Sequence, residues 1–183
     1  VTSPPYINAI DYTMTHKFSL FVLNLISTKK FKDHCRDYIG VTERAVRVRE
    51  RVQESRFESP DEEVFKRINS LIDAIGTDGT ETSKVREFIT YTYFRDMYKA
   101  ICLWFQRLKP GGVCMIVVGP NEIRKVNVPT HEIIRDLMRL AGFEIELSFF
   151  HSIHSRELQG GRNTNAGIIE DEMVIMARKA SAE

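Results

Sequence analysis

Leu108-Lys109-Pro110-Gly111-Gly112-Val113-Cys114-Met115-Ile116-Val117-Val118 is the stretch that decides the fold. Proline and two glycines cannot continue a helix, and the six apolar residues after them read as a strand covered on both faces. Upstream, Val85, Phe88, Ile89, Met97, Ala100, Ile101, Trp104 and Leu108 recur at helical spacing, and Thr82 or Ser83 is placed to cap that helix. Downstream, Pro129-Thr130 opens a helix predicted over 131–141, with Ile133, Ile134, Leu137, Met138 and Ala141 inward and Gly142 at its end. Residues 143–153 alternate enough for a strand, 159–167 form a turn-rich loop, and 172–178 read as a last strand. Strands alternating with helices imply an α/β fold with a parallel sheet, and the close pairing of the last two strands adds an antiparallel edge.

The first eighty residues are more helical. Apolar residues crowd 10–26 (Phe18, Leu20, Phe21, Val22, Leu23, Leu25, Ile26), which predicts a helix buried on most sides. A polar connector follows over 27–37, then a charge-rich helix over 42–56. Ser59-Pro60-Asp61-Glu62-Glu63 has the form of a helix start: a capping serine, proline at the first position and acids in the first turn. Val64, Phe65, Ile68, Leu71, Ile72 and Ile75 continue it as an apolar stripe, and Gly76-Thr77-Asp78-Gly79-Thr80 ends it.

The chain has 183 residues, enough for one domain with a sizeable core, and 43% hydrophobic against 28% charged residues is the balance of a folded protein. A net charge of +1 gives no global footprint for a polyanion, so nucleic-acid binding would need a local patch. Residues 29–56 carry nine Lys/Arg against five Asp/Glu. Within them Arg44, Arg47, Arg49 and Arg51 could hold phosphates, but Glu43, Glu50 and Glu54 interleave, so a solvated face is the simpler reading. Cys35, Cys102 and Cys114 are odd in number and far apart, as free thiols of a reducing compartment are. With no signal-peptide pattern and no apolar run long enough to span a bilayer, the expectation is an intracellular, cytoplasmic protein.

The chemistry lies at Thr2-Ser3-Pro4-Pro5-Tyr6, with Asn8, Asp11 and Tyr12 close behind. Paired prolines remove two N–H donors and hold the local carbonyls out as acceptors. Ser3 Oγ and the Ser3 and Pro4 carbonyls can therefore take the hydrogens of a planar NH2 group, and Tyr6 can stack on its ring. Ser3-Pro4-Pro5-Tyr6 resembles the [Asp/Asn/Ser]-Pro-Pro-[Tyr/Phe/Trp] motif of amino-methyltransferases that use S-adenosylmethionine. The serine form is most typical of enzymes acting on the exocyclic amine of cytosine in DNA. Leu108-Lys109-Pro110-Gly111-Gly112 and Ala141-Gly142-Phe143 are similar to the turns before the fifth and sixth strands of the Rossmann-like methyltransferase fold, where an antiparallel seventh strand closes the sheet.

The resemblance implies the C-terminal half of that fold: the catalytic motif over 1–12, a helical insertion over 27–80, and a helix with the last three strands over 81–183. It implies Ser3, Pro4, Pro5 and Tyr6 as catalytic residues and Asn8, Asp11 and Tyr12 as substrate-binding ones. It implies S-adenosylmethionine as cofactor and DNA as partner, the target nucleotide being flipped out of the duplex. The cofactor half has no counterpart in this sequence: none of the pairs Gly76/Gly79, Gly111/Gly112 and Gly160/Gly161 follows a buried strand and opens a helix. A second polypeptide or further segment carrying that half is therefore expected, the chain being a fragment or one piece of a split enzyme. An RNA or protein amide methyltransferase with the same corner, or a non-catalytic binding module, are the alternatives.

Other clusters carry less. His151 and His154, three apart on a strand, face opposite sides and make a poor metal pair. Cys35 beside His34 lacks further ligands. Asp11 suits a helix start as well as a site, and His16 and Lys17 an exposed helical turn.

Overall fold

The computed structural model describes residues 1–7, 12–35, 38–40, 56–58, 62–153 and 171–181. Asn8, Asp11, Arg44, Arg47, Arg49, Arg51, His154 and the 159–167 loop lie outside the described residues, as does nearly all of the helix expected over 42–56.

In chain order the elements are α1 (Tyr12–Val22), α2 (Phe31–His34), α3 (Glu63–Ile75), α4 (Glu81–Arg107), β1 (Val113–Val118), β2 (Asn121–Ile123), β3 (Val126–Val128), α5 (Thr130–Leu140), β4 (Phe143–Ser152) and β5 (Asp171–Lys179). The architecture is mixed α/β. The last strand does not close an edge as expected. β5 lies between β1 and β4 and runs antiparallel to both. Its alternating pattern buries Met173, Ile175 and Ala177 on one face, against the helices. On the far side of β1, Thr2 forms a parallel bridge with Ile116, through Thr2 N–H to the Met115 carbonyl (2.9 Å) and Val117 N–H to the Thr2 carbonyl (3.0 Å).

The core is one cluster between this sheet and α3, α4 and α5. The stripe of α3 is buried as its spacing predicts, with Ile68 and Ile72 fully covered. The helix starts at Glu63 after an extended Glu62, whose side chain makes no capping bond among the described residues; Ser59, Pro60 and Asp61 lie outside the described residues. α4 is capped by Thr80, whose hydroxyl accepts from Ser83 N–H (3.2 Å), rather than by Thr82 or Ser83. Its middle is buried beyond the predicted stripe, with Tyr93 and Phe94 in the core. The helix ends where Lys109-Pro110-Gly111-Gly112 requires; a Cβ on Gly112 would stand 2.7 Å from the Lys109 carbonyl oxygen.

Two expectations fail on burial. Ile116 and Val118 of β1 are fully covered, but Val113 at its start is exposed, so only one face of the strand is sealed. α1 is a helix as predicted, yet Phe18 is 79% and Val22 80% exposed. An all-round apolar sequence states that burial is possible; it does not supply the neighbouring element. β2 and β3 form a hairpin that the sequence pattern did not indicate, because its turn places Arg124 and Lys125 at positive φ without the glycine or asparagine usual there.

The three cysteines are free, and Cys35 is buried. Among the described residues no helix is long and apolar enough to cross a membrane, and no group of side chains has the makeup of a metal site.

Candidate functional site

The proline corner follows directly from the Thr2 bridge, so the backbone of β1 fixes where it begins. Ser3 is exposed and donates its hydroxyl to the Val117 carbonyl (3.4 Å). A serine that donates its hydrogen keeps both oxygen lone pairs as acceptors. Pro4 is buried, Pro5 half-buried and Ile7 buried in the core, so the corner is anchored on both sides of its polar opening. It sits beyond the C-terminal end of β1, the end at which open α/β sheets place their ligands.

Tyr6 is half-buried, and its hydroxyl donates to Glu172 Oε1 near the start of β5, with the backbone N–H of Gly119, just past the end of β1, favouring the charged form of the same oxygen. Burial, followed by the Glu172 carboxylate, raises the Tyr6 pKa far above the ordinary phenol value, so the hydroxyl stays protonated. Tyr6 therefore acts as a neutral, fixed ring. It has no proton to exchange at neutral pH.

Tyr12, at the first turn of α1, is partly buried with its ring 6.2 Å from that of His16. His16 in turn meets the Tyr38 hydroxyl through Nδ1 (3.1 Å). Tyr6 and Tyr12 both add to the upward pKa shift of Tyr93, whose dominant cause is burial. Tyr93 lies outside the stripe predicted for α4 and was not singled out in the sequence. It lies 2% exposed on α4, and its hydroxyl has no hydrogen-bond partner among the described residues. The structure thus gathers Ser3, Pro4, Pro5, Tyr6, Tyr12, Tyr93, Gly119 and Glu172 at one end of the sheet. His151 lies opposite Glu172 in the β4–β5 register and is exposed.

The described residues do not fit S-adenosylmethionine. Gly119 follows a buried strand, but Pro120 and the β2–β3 hairpin come next, not the helix whose N-terminal amides such a cofactor needs. What the arrangement offers is an exposed oxygen acceptor at Ser3, on backbone tied to β1, with an aromatic ring close by at Tyr6.

No family model and no curated protein matches the chain. It is similar to two solved structures of TTHA0409 from Thermus thermophilus, provisionally described as a DNA modification methylase. One aligns at 25% identity over 49% of this chain and 38% of that one, with a TM-score of 0.37. The other, complexed with S-adenosyl-L-methionine, aligns at 24% identity over 50% of this chain and 38% of that one, with a TM-score of 0.39. The matched part spans well under half the length of that protein, and these likenesses assign the chain to no family.

Proposed function

We propose that this chain forms the amine-binding half of an S-adenosylmethionine-dependent DNA amino-methyltransferase, with cytosine favoured over adenine and the cofactor held by a second polypeptide or further segment. The observation that carries the reading is the Ser3-Pro4-Pro5-Tyr6 corner hung on the end of β1, with an acceptor exposed at Ser3 and a half-buried, fixed ring at Tyr6. The exocyclic amine of a base is a poor nucleophile, because its lone pair is delocalised into the ring. Acceptors that take its hydrogens favour a tetrahedral nitrogen and aim that lone pair outward, an effect of position and electrostatics that needs no strong base. A protonated Tyr6 with no free proton role agrees with this, since its contribution is then stacking.

Substrate-binding roles for Asn8, Asp11 and Tyr12 belong to the same reading, with Tyr12 flanking Tyr6. The helical span over 29–75 would be a candidate target-recognition segment.

The test is methyl transfer to DNA oligonucleotides by the chain reconstituted with a cofactor-bearing half. Ser3→Ala and Tyr6→Ala are expected to lower turnover by roughly a hundredfold or more. Unchanged turnover in both variants would sink the assignment. Calorimetric titration of S-adenosylmethionine into the chain alone should show no binding, and micromolar binding would mean that the cofactor site lies within it.

A further inference from the structure

We infer that Glu172 is the positioning residue for Tyr6, clamping the aromatic ring of the corner from a strand that follows it by almost the whole chain. This rests on the reading of the corner as an amine-binding site.

The argument starts from what a stacking ring needs. A tyrosine side chain turns about two bonds, and a ring that must lie against a base loses binding energy to each alternative orientation. Tyr6 is attached to a short segment after two prolines, and its ring is only half-buried, so packing alone does not fix it. Its hydroxyl supplies the missing constraint. Glu172 Oε1 accepts from it. This is a bond to a carboxylate, the stronger kind.

Glu172 is well suited to the task. It sits near the start of β5, the interior strand, paired with His151 of β4 one residue before the pairing of β5 with β1 begins at Met173. Met173 beside it is buried in the core. A carboxylate on this strand transfers the rigidity of the sheet to the ring. Glu172 touches neither the amine nor the base in this arrangement; it acts through Tyr6.

A double-mutant cycle in the reconstituted enzyme tests this. Glu172→Ala should lower methyl transfer roughly tenfold to a hundredfold, the range that a misplaced group costs. Glu172→Gln, whose amide oxygen still accepts from the tyrosine, should retain most of it. In a Tyr6→Phe background Glu172→Ala should cost nothing further, because the hydroxyl through which Glu172 acts is gone. An independent readout is the ionisation of Tyr6, followed by NMR of 13Cζ-labelled tyrosine in the full chain. It should fall by on the order of one pH unit or more in Glu172→Gln, as removal of a neighbouring charge predicts. Full additivity in the cycle, or an unmoved Tyr6 titration, overturns the inference while leaving the amine-binding reading intact. Unchanged methyl transfer in Tyr6→Ala overturns both.

Discussion

Replacing Lys179 with methionine should destabilise the chain by about 2 kcal/mol, and the structure says why. Lys179 is near the end of β5, and its Nζ donates to the Phe105 carbonyl (2.7 Å) and the Leu108 carbonyl (3.0 Å), acceptors left over at the C-terminal end of α4. The same ammonium lies 4.8 Å from the centre of the Phe105 ring. Two charge-assisted bonds would contribute ~1.5–3 kcal/mol each if the site were dry, and the helix dipole adds ~0.3–1 kcal/mol. Lys179 is half-exposed, so water replaces part of both bonds in the variant, which brings the sum down to about 2 kcal/mol. Methionine keeps an unbranched apolar stem against Phe105, so the loss measures the ammonium and little packing. Urea unfolding followed by the fluorescence of Trp104, the single tryptophan and itself on α4, is the assay. A lower midpoint at an unchanged slope is expected, with a fall in Tm of about 4–8 °C for a chain of this size. Lys179→Arg should recover much of it. A loss below about 0.5 kcal/mol in Lys179→Met would refute the idea that β5 holds the end of α4 through this ammonium.

Three further outcomes follow from the same geometry. His131 is buried near the start of α5, its Nδ1 without a partner among the described residues, and burial lowers its pKa; Glu132 pulls it up, Arg135 and Arg67 push it down. The unfolded chain then binds the proton first, so stability is full above the ordinary histidine value of about 6.5 and falls as pH drops through it. Urea midpoints should decline over that window and flatten in His131→Gln; an equal decline in the variant would assign the effect elsewhere. The lowered pKa of Glu132, held by Arg67, acts in the same direction but only below the ordinary glutamate range. Tyr93→Phe removes a buried hydroxyl with no partner among the described residues and should be neutral or stabilise by about 1 kcal/mol, whereas a loss of that size would mean the hydroxyl is bonded in solution. Gly142 has φ +100° and a Cβ there would come 2.9 Å from Phe105 Cζ, so Gly142→Ala should cost about 2–3 kcal/mol by thermal unfolding. Stability equal to the parent would show that the turn and ring yield freely.

Much of the fold was legible because single segments dictated it. The stop at Lys109-Pro110-Gly111-Gly112, the run of β1, the stripes of α3 and α5 and the positive-φ turn at Gly142 each rest on local chemistry that neighbours did not override. What failed was decided by partners. Nothing in the sequence of α1 says whether an element packs on it, and nothing in the β1 run says that one face stays open. The place of β5 between β1 and β4 is a matter of pairing between strands far apart in the chain, which periodicity cannot encode. The hairpin of β2 and β3 escaped because Arg124 and Lys125 accept a backbone conformation that their side chains do not advertise.

The candidate site divides along the same line. Ser3, Pro4, Pro5 and Tyr6 are contiguous, so a proline corner with an exposed hydroxyl and an aromatic ring close by could be read from the letters alone. Gly119, Glu172 and Tyr93 could not, since each reaches the corner only through the sheet and α4. Before folding, Glu172 was one more acid at the edge of a strand. Tyr93 was one of several aromatics in a long helix. Half-burial of a tyrosine after two prolines, however, raises a question that local sequence does contain: where does its hydroxyl go? A chain that half-buries such a ring must answer it with an acceptor from elsewhere. Here the acceptor is a carboxylate on the innermost strand, so the rigidity of the corner and the pairing of the sheet are a single property of the molecule.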